Sequence, residues 1–169
     1  MKIIEQEEVR KLLQPKDCIQ LMAEALKGLE SGEYAQPARL ITVMPNTAKF
    51  GFMPAYVGDY FGAKVISAFA PNMGTKYPSH IGYVMLFESA HSTVAGMIEA
   101  GSITEIRTGA VSAAATDLLA RKDSHKLALI GAGAQARSHL AAIREIRDIT
   151  SVTVYDLFPQ AAERFAKDM

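Results

Sequence analysis

The chain carries a single cysteine, Cys18, in 169 residues, so no internal disulfide can form and no cysteine-rich zinc site can be built. That usage fits a reducing cytoplasm, and Cys18 itself reads as a small buried hydrophobe on a helix. An excess of charge of either sign is also missing. The 18 Lys and Arg match 18 Asp and Glu, which removes the electrostatic reason to expect nucleic acid or an anionic membrane as partner. No apolar run approaches the roughly 18 residues of a membrane span. The N-terminal stretch MKIIEQEEVRKLL places charges where a secretory signal would be apolar. The four histidines, His80, His91, His125 and His139, lack metal-ligand spacing, and there is no internal repeat or low-complexity tract. What is present, 49% hydrophobic and 21% charged residues, is the composition of a globular protein with a real core.

Pro15 opens a segment with Ile19, Met22, Ala23, Leu26 and Leu29 at helical spacing and Gly32 where a left-handed C-cap would sit. A core-packing amphipathic helix is expected there. From about residue 38 the texture becomes β-rich: residues 38–44, 50–57, 63–70, 81–89 and 93–100 read as strands separated by turn material. Their short connections predict antiparallel pairing, since a parallel crossover needs a dozen or more residues. Ser102 and Glu105 have the spacing of a capping box, predicting a helix from about residue 103 through an alanine-rich stretch to Arg121-Lys122. After that break come an apolar strand (126–130), a glycine turn, a helix, a second strand (151–156) and a helix opened by Pro159. Strand, helix, strand and helix with tight turns begin a βαβ unit.

The turn Gly131-Ala132-Gly133-Ala134-Gln135-Ala136 is G-x-G-x-x-A, with a strand before it, a helix after it and Asp156 at the end of the next strand. That context is the dinucleotide-binding one. Gly131 permits the tight turn, Gly133 lets a pyrophosphate approach the backbone, and Ala136 keeps helix and sheet close. The helix N-terminus offers N–H donors to the phosphates. Asp156 would accept from the adenosine ribose hydroxyls and repel a 2′-phosphate, and no Lys or Arg follows it before Arg164, so NAD is favoured over NADP. A competing reading makes Asp156 only a cap before the Pro159 helix. A full dinucleotide fold uses about six strands, whereas residues 126–169 supply two, so the chain is expected to be the N-terminal half of a longer enzyme and inactive alone.

Gln36-Pro37-Ala38-Arg39, Met53-Pro54-Ala55-Tyr56, Gly62-Ala63-Lys64-Val65, Pro71-Asn72, ITEIRTGAVSAAATDLLARKDS (103–124) and the glycine turn together resemble the ornithine cyclodeaminase/mu-crystallin family. The resemblance implies an α/β chain: a mainly antiparallel, β-rich substrate and dimerisation domain over residues 1–123, then the first βαβα portion of a Rossmann domain over 124–169. It implies NAD-dependent chemistry at the α-carbon of a small amino acid or cyclic imino acid, and a homodimer. Arg39, Lys64 and Arg107 become substrate-binding cations, with Lys64 also catalytic. Ser79, Arg107, Thr108, Gly131, Gly133, Ala134, Gln135 and Asp156 become cofactor-binding residues. An amino-acid carboxylate suits an arginine fork, and a lysine held among cations gives up its proton more readily. Read without the resemblance, Arg39 and Lys64 would be solvent-face charges on strands, Arg107 an ion-pairing helix residue, and Ser79 a turn residue.

One departure bears on substrate. Family members that cyclise ornithine carry an acidic residue just before the Met-Pro pair, whereas here Phe50-Gly51-Phe52 precede Met53. Ornithine is therefore disfavoured. The alternative function compatible with the resemblance is a non-catalytic dimeric protein that binds a nucleotide or small ligand.

Overall fold

The computed structural model describes residues 1–169. They form two compact units, residues 1–12 with 25–103 and residues 13–24 with 104–169.

The first unit is a six-stranded sheet in the order β1-β6-β5-β4-β3-β2. It comprises β1 (Lys2–Ile4), β2 (Leu40–Val43), β3 (Lys49–Val57), β4 (Tyr60–Ala68), β5 (His80–Glu88) and β6 (Val94–Glu99). The run from β2 to β6 is antiparallel throughout, as the short connections demand. The exception is β1, a strand not anticipated from sequence, which pairs parallel with β6. Helix α1 (Gln6–Leu12) follows it and buries Val9. Gly58, at φ +55°, makes the β3–β4 hairpin, a conformation that costs glycine little.

Two helices begin in one unit's residues and end in the other's. Helix α2 (Pro15–Ser31) ends as expected at Gly32, whose φ of +78° is the left-handed cap. Its expected core stripe is only partly realised: Ile19, Met22 and Ala23 are half-buried, while Leu26 and Leu29 are exposed. Cys18, by contrast, is fully buried, and burial pushes its thiol pKa up. Helix α3 (Ala100–Leu119) starts two residues before the expected capping box. The Glu99 carboxylate accepts the N–H groups of Gly101 and Ser102 instead, at 2.5 and 2.8 Å, and the buried Ser102 hydroxyl has no partner. A carboxylate one residue ahead of the helix reaches the unpaired N–H groups better than a hydroxyl already inside its first turn.

The second unit carries the parallel pair β7 (Lys126–Ile130) and β8 (Ser151–Tyr155), with α4 (Ala134–Arg144) between them and α5 (Pro159–Asp168) after them. These elements stand where the periodicity placed them. The small residues of α3 have a steric cause, since a Cβ on Gly109 would lie 2.5 Å from the Ser138 carbonyl oxygen of α4. The same closeness buries Ala113 against Ala142 and Ile143, with Ile19 of α2 packed on them. A second cluster, Ala132, Leu140 and Phe165, joins the glycine turn, α4 and α5, and Ala136 packs on it.

The C-terminus of α3 is closed by Arg147, whose side chain is 4% exposed. Its guanidinium donates to the carbonyls of Thr116, Asp117, Ala120 and Arg121 and, at 2.5 Å, to the Asp117 carboxylate. Lys122 adds a bond to the Asp117 carbonyl at 2.9 Å, so cations end this helix as its sequence implied.

Candidate active site

In the second unit the glycine turn is built by three backbone constraints. Gly131 has φ +101° and donates its N–H to the Tyr155 carbonyl at 2.7 Å. Only glycine tolerates that conformation without strain. The Asp156 carboxylate then accepts twice: Oδ2 from the Ala132 N–H at 2.8 Å and Oδ1 from the Phe158 N–H at 2.9 Å. Asp156 is therefore a local cap before α5, as one sequence reading had it, and also a latch on the turn, which the sequence did not suggest. The two backbone donors hold its pKa below the usual aspartate value, Phe158 contributing more.

Gly133 is the N-cap of α4, with φ −79° and ψ −169°, and no side chain caps the helix there. That backbone is open to any residue. A Cβ on Gly133 would meet no atom within 4 Å, so the space beside it is left open by the fold. Ala134 and Gln135 are exposed in the first turn of α4. An exposed helix N-terminus with bare backbone beside it is suited to a pyrophosphate. These residues fit a dinucleotide.

Arg107 and Thr108 lie half-buried on α3. The Thr108 hydroxyl donates to the Thr104 carbonyl at 2.5 Å, leaving its oxygen as an acceptor. Arg107 also acts on Cys18, opposing the rise that burial imposes on the thiol.

In the first unit, Lys64 of β4 pairs across the ladder with Met53 of β3 on one side and Val84 of β5 on the other. Arg39 directly precedes β2, where Leu40 pairs with Phe52 and Ile41 with Gly51. Arg39 itself lies outside that ladder, and the next contact back, the isolated bridge between Ala35 and Tyr56, is shifted by one residue relative to it. The register places Met53, Gly51 and Ile41 on the face that carries Lys64. Arg39 is exposed and Lys64 half-buried. Ser79 is half-buried just before β5, its hydroxyl 3.1 Å from His80 Nδ1 and its carbonyl accepting the Phe69 N–H. Two further histidines have local partners: His125 Nδ1 donates to the Asp148 carbonyl and His139 Nδ1 to the Gln135 carbonyl.

Sequence reasoning named Met53 and Gly51 only within their motifs and did not single out Ile41 as their neighbour. The alternation within the β2–β3 hairpin is the signal that finds them once the register is known.

The model of the ornithine cyclodeaminase/mu-crystallin family matches residues 1–169. Among curated relatives, the ketimine reductase mu-crystallin of Mus musculus is 33% identical over 148 residues, 86% of this chain and 47% of the relative. The alanine dehydrogenase of Archaeoglobus fulgidus is 29% identical over 163 residues, 96% of this chain and 50% of the relative. Among solved structures, the Thermococcus litoralis delta(1)-pyrroline-2-carboxylate reductase in complex with NADH and L-proline matches with a TM-score of 0.92 and 33% identity. That match covers 99% of this chain and 53% of the reductase. An archaeal alanine dehydrogenase dimer with bound NAD matches with a TM-score of 0.93 and 28% identity, over 98% of this chain and 52% of the dehydrogenase. The chain spans about half the length of the relatives it matches.

Proposed function

The chain belongs to the ornithine cyclodeaminase/mu-crystallin family, and from that premise we propose that it carries the substrate-binding sheet and the first dinucleotide-binding strands of an NAD-dependent oxidoreductase. Its substrate is a small amino acid or cyclic imino acid, and the reaction is imine reduction or amine oxidation at the α-carbon. The observation that carries this reading is the glycine turn latched by Asp156 beside the open N-cap Gly133. The solved relatives that bind NADH or NAD support it.

In this reading Gly131, Gly133, Ala134, Gln135 and Asp156 hold the dinucleotide, joined by Ser79, Arg107 and Thr108. When bound, the nicotinamide supplies or accepts the hydride. Arg39, Lys64 and Arg107 hold the substrate carboxylate. Lys64 polarises the carbon–nitrogen bond and passes a proton to the imine nitrogen. Residues 1–123 serve substrate binding and dimerisation, residues 124–169 the cofactor.

The partner copy docks on the sheet face opposite Lys64. By the register Leu40, Phe52, Val65, Tyr83 and Phe50 lie there, with Ile81 and Met85. Leu40 is 62% and Ile81 54% exposed, and Phe50, Phe52 and Met85 are exposed too. A contiguous apolar face of this kind marks an interface, and one of the solved relatives is a dimer.

The test is NADH titration of the purified chain by fluorescence, with sedimentation to read its assembly. Saturable NADH binding by a dimer is expected, without turnover, because two strands supply only part of the sheet that a dinucleotide spans. Absence of NADH binding would sink the cofactor reading, and a monomer that stays monomeric at high concentration the dimer.

A further inference from the structure

The excursion between β4 and β5, residues 69–79, is closed by bonds among its own residues. Its two ends are tied by the Phe69 N–H, which donates to the Ser79 carbonyl at 2.8 Å. Inside it, the Asn72 N–H donates to the Phe69 carbonyl at 3.1 Å, and the Asn72 carbonyl accepts both the N–H and the hydroxyl of Thr75, at 3.0 and 2.8 Å. The Thr75 oxygen in turn accepts the Tyr77 N–H at 3.1 Å, and Gly74 turns the chain between them at φ +78°. The Asn72 side chain then reaches the far arm, where Nδ2 donates to the Pro78 carbonyl at 2.9 Å. Asn72 and Ser79 are half-buried, while the residues between them are exposed. A loop bonded in this way keeps its shape from its own polar groups. What it holds is the residue at its exit.

Ser79 is fixed from three sides. Its own carbonyl is bound by Phe69, the carbonyl before it by Asn72, and its hydroxyl lies 3.1 Å from Nδ1 of His80. His80 is the first residue of β5 and pairs with Ala68 across the ladder, so its ring rises from a strand rather than from the loop. A serine hydroxyl both donates and accepts, and left alone it rotates to suit what it meets. A neutral imidazole with its proton on Nε2 offers Nδ1 as an acceptor, which takes up the hydroxyl proton and leaves the oxygen lone pairs for a ligand. We propose that Asn72 and His80 are positioning residues of the cofactor site: Asn72 fixes where Ser79 stands, and His80 fixes its hydroxyl as an acceptor for a hydroxyl or amide N–H of the dinucleotide. The proposal rests on the reading of Ser79 as a cofactor-binding residue. A hydroxyl oriented in advance spares binding the cost of ordering it.

The test is NADH titration of the full chain by fluorescence across double-mutant cycles. Ser79→Ala is expected to weaken binding about tenfold, His80→Ala about fivefold, and the double variant no more than Ser79→Ala alone, because His80 acts through the hydroxyl. His80→Asn, whose amide oxygen can stand where Nδ1 stood, is expected to bind within about twofold of wild type. Asn72→Asp keeps the shape of the side chain without the donor, and a loss of about fivefold is expected, again absent when Ser79 is replaced by alanine. Nitrogen NMR of the His80 ring is expected to show the Nε2–H tautomer at neutral pH. Additive losses in either double variant would overturn the role of the residue concerned. His80→Asn as weak as His80→Ala, or an Nδ1–H tautomer, would overturn the role of His80 while the Ser79→Ala defect left the cofactor reading of Ser79 standing. Wild-type NADH affinity in Ser79→Ala, or no NADH binding by the wild-type chain, would overturn that reading and the positioning with it.

Discussion

Asp156 Oδ2 accepts the backbone N–H of Ala132 at 2.8 Å, so the residue that ends β8 fixes the shape of the turn that ends β7. The cofactor loop is thereby held in shape before any ligand arrives, which lowers the ordering cost of binding. Replacing Asp156 with Ala removes both that bond and the bond to Phe158. NADH affinity is expected to fall about tenfold or more, from loss of the latch and of the ribose acceptor, as read by fluorescence titration. The pH dependence follows from the depressed pKa of this carboxylate. Its contribution is complete above the unfolded aspartate pKa and is lost as pH falls through the lower folded value. Between neutrality and the ordinary aspartate range the wild-type turn should therefore keep its Ala132 amide resonance unshifted, and the Asp156→Ala chain should lack any transition below that range.

Gly109 and Gly133 are both glycine for reasons of space, but of opposite kinds. A Cβ on Gly109 collides with the backbone of α4, and one on Gly133 meets nothing. Gly109→Ala should destabilise the fold by about 1–3 kcal/mol despite the better helix propensity of alanine. Gly133→Ala should leave the melting temperature within a degree or two of wild type while weakening NADH binding, since the methyl fills the space a phosphate would use. Thermal melts paired with NADH titration separate the two. An unfolding defect in Gly133→Ala, or none in Gly109→Ala, contradicts the geometry.

Arg147 is buried and gathers the last carbonyls of α3. Arg147→Met should cost about 2–4 kcal/mol, because the helix end loses several charge-assisted bonds at once. Arg147→Lys should recover only part, since an ammonium cannot reproduce the fork. Asp117→Asn should cost much less than Arg147→Met, its side chain being 42% exposed. Its carboxyl is held below the usual aspartate range first by Arg147 and then by Lys122, so the stability it adds is present at neutral pH and lost as pH falls through its lowered pKa. Urea unfolding at neutral pH and in acid checks the order and the sign.

Local signals made the second unit legible. β7, α4, β8 and α5 fall within a residue or two of the expected positions because each is bounded by its own glycine, proline or change of period. The hairpins of the sheet were legible for the same reason. β1 was not, since three residues have no period and acquire strand structure only from β6, more than ninety residues away. The start of α3 was misplaced because Ser102-x-x-Glu105 has the right spacing, while Glu99, buried in no recognisable motif, holds the N–H groups. Leu26 and Leu29 follow the helical period of α2 yet are exposed, since a period identifies a face but not whether another element covers it. The glycine turn and the helix after it were legible in the sequence. That Lys64 shares a face with Met53, Gly51, Ile41 and Ile66 depends on strand register, which no single segment encodes.

The grouping of residues 13–24 with 104–169 has a consequence for biosynthesis. Ile19 packs against Ala113, Ala142 and Ile143, partners that leave the ribosome long after it. At ~5–20 residues per second, that delay is roughly ten seconds. Throughout it the apolar side of nascent α2 is uncovered while the hairpins downstream are already able to pair. The hairpins of the first unit can therefore pair early, whereas Ile19 gains its packing partners only when α4 is made.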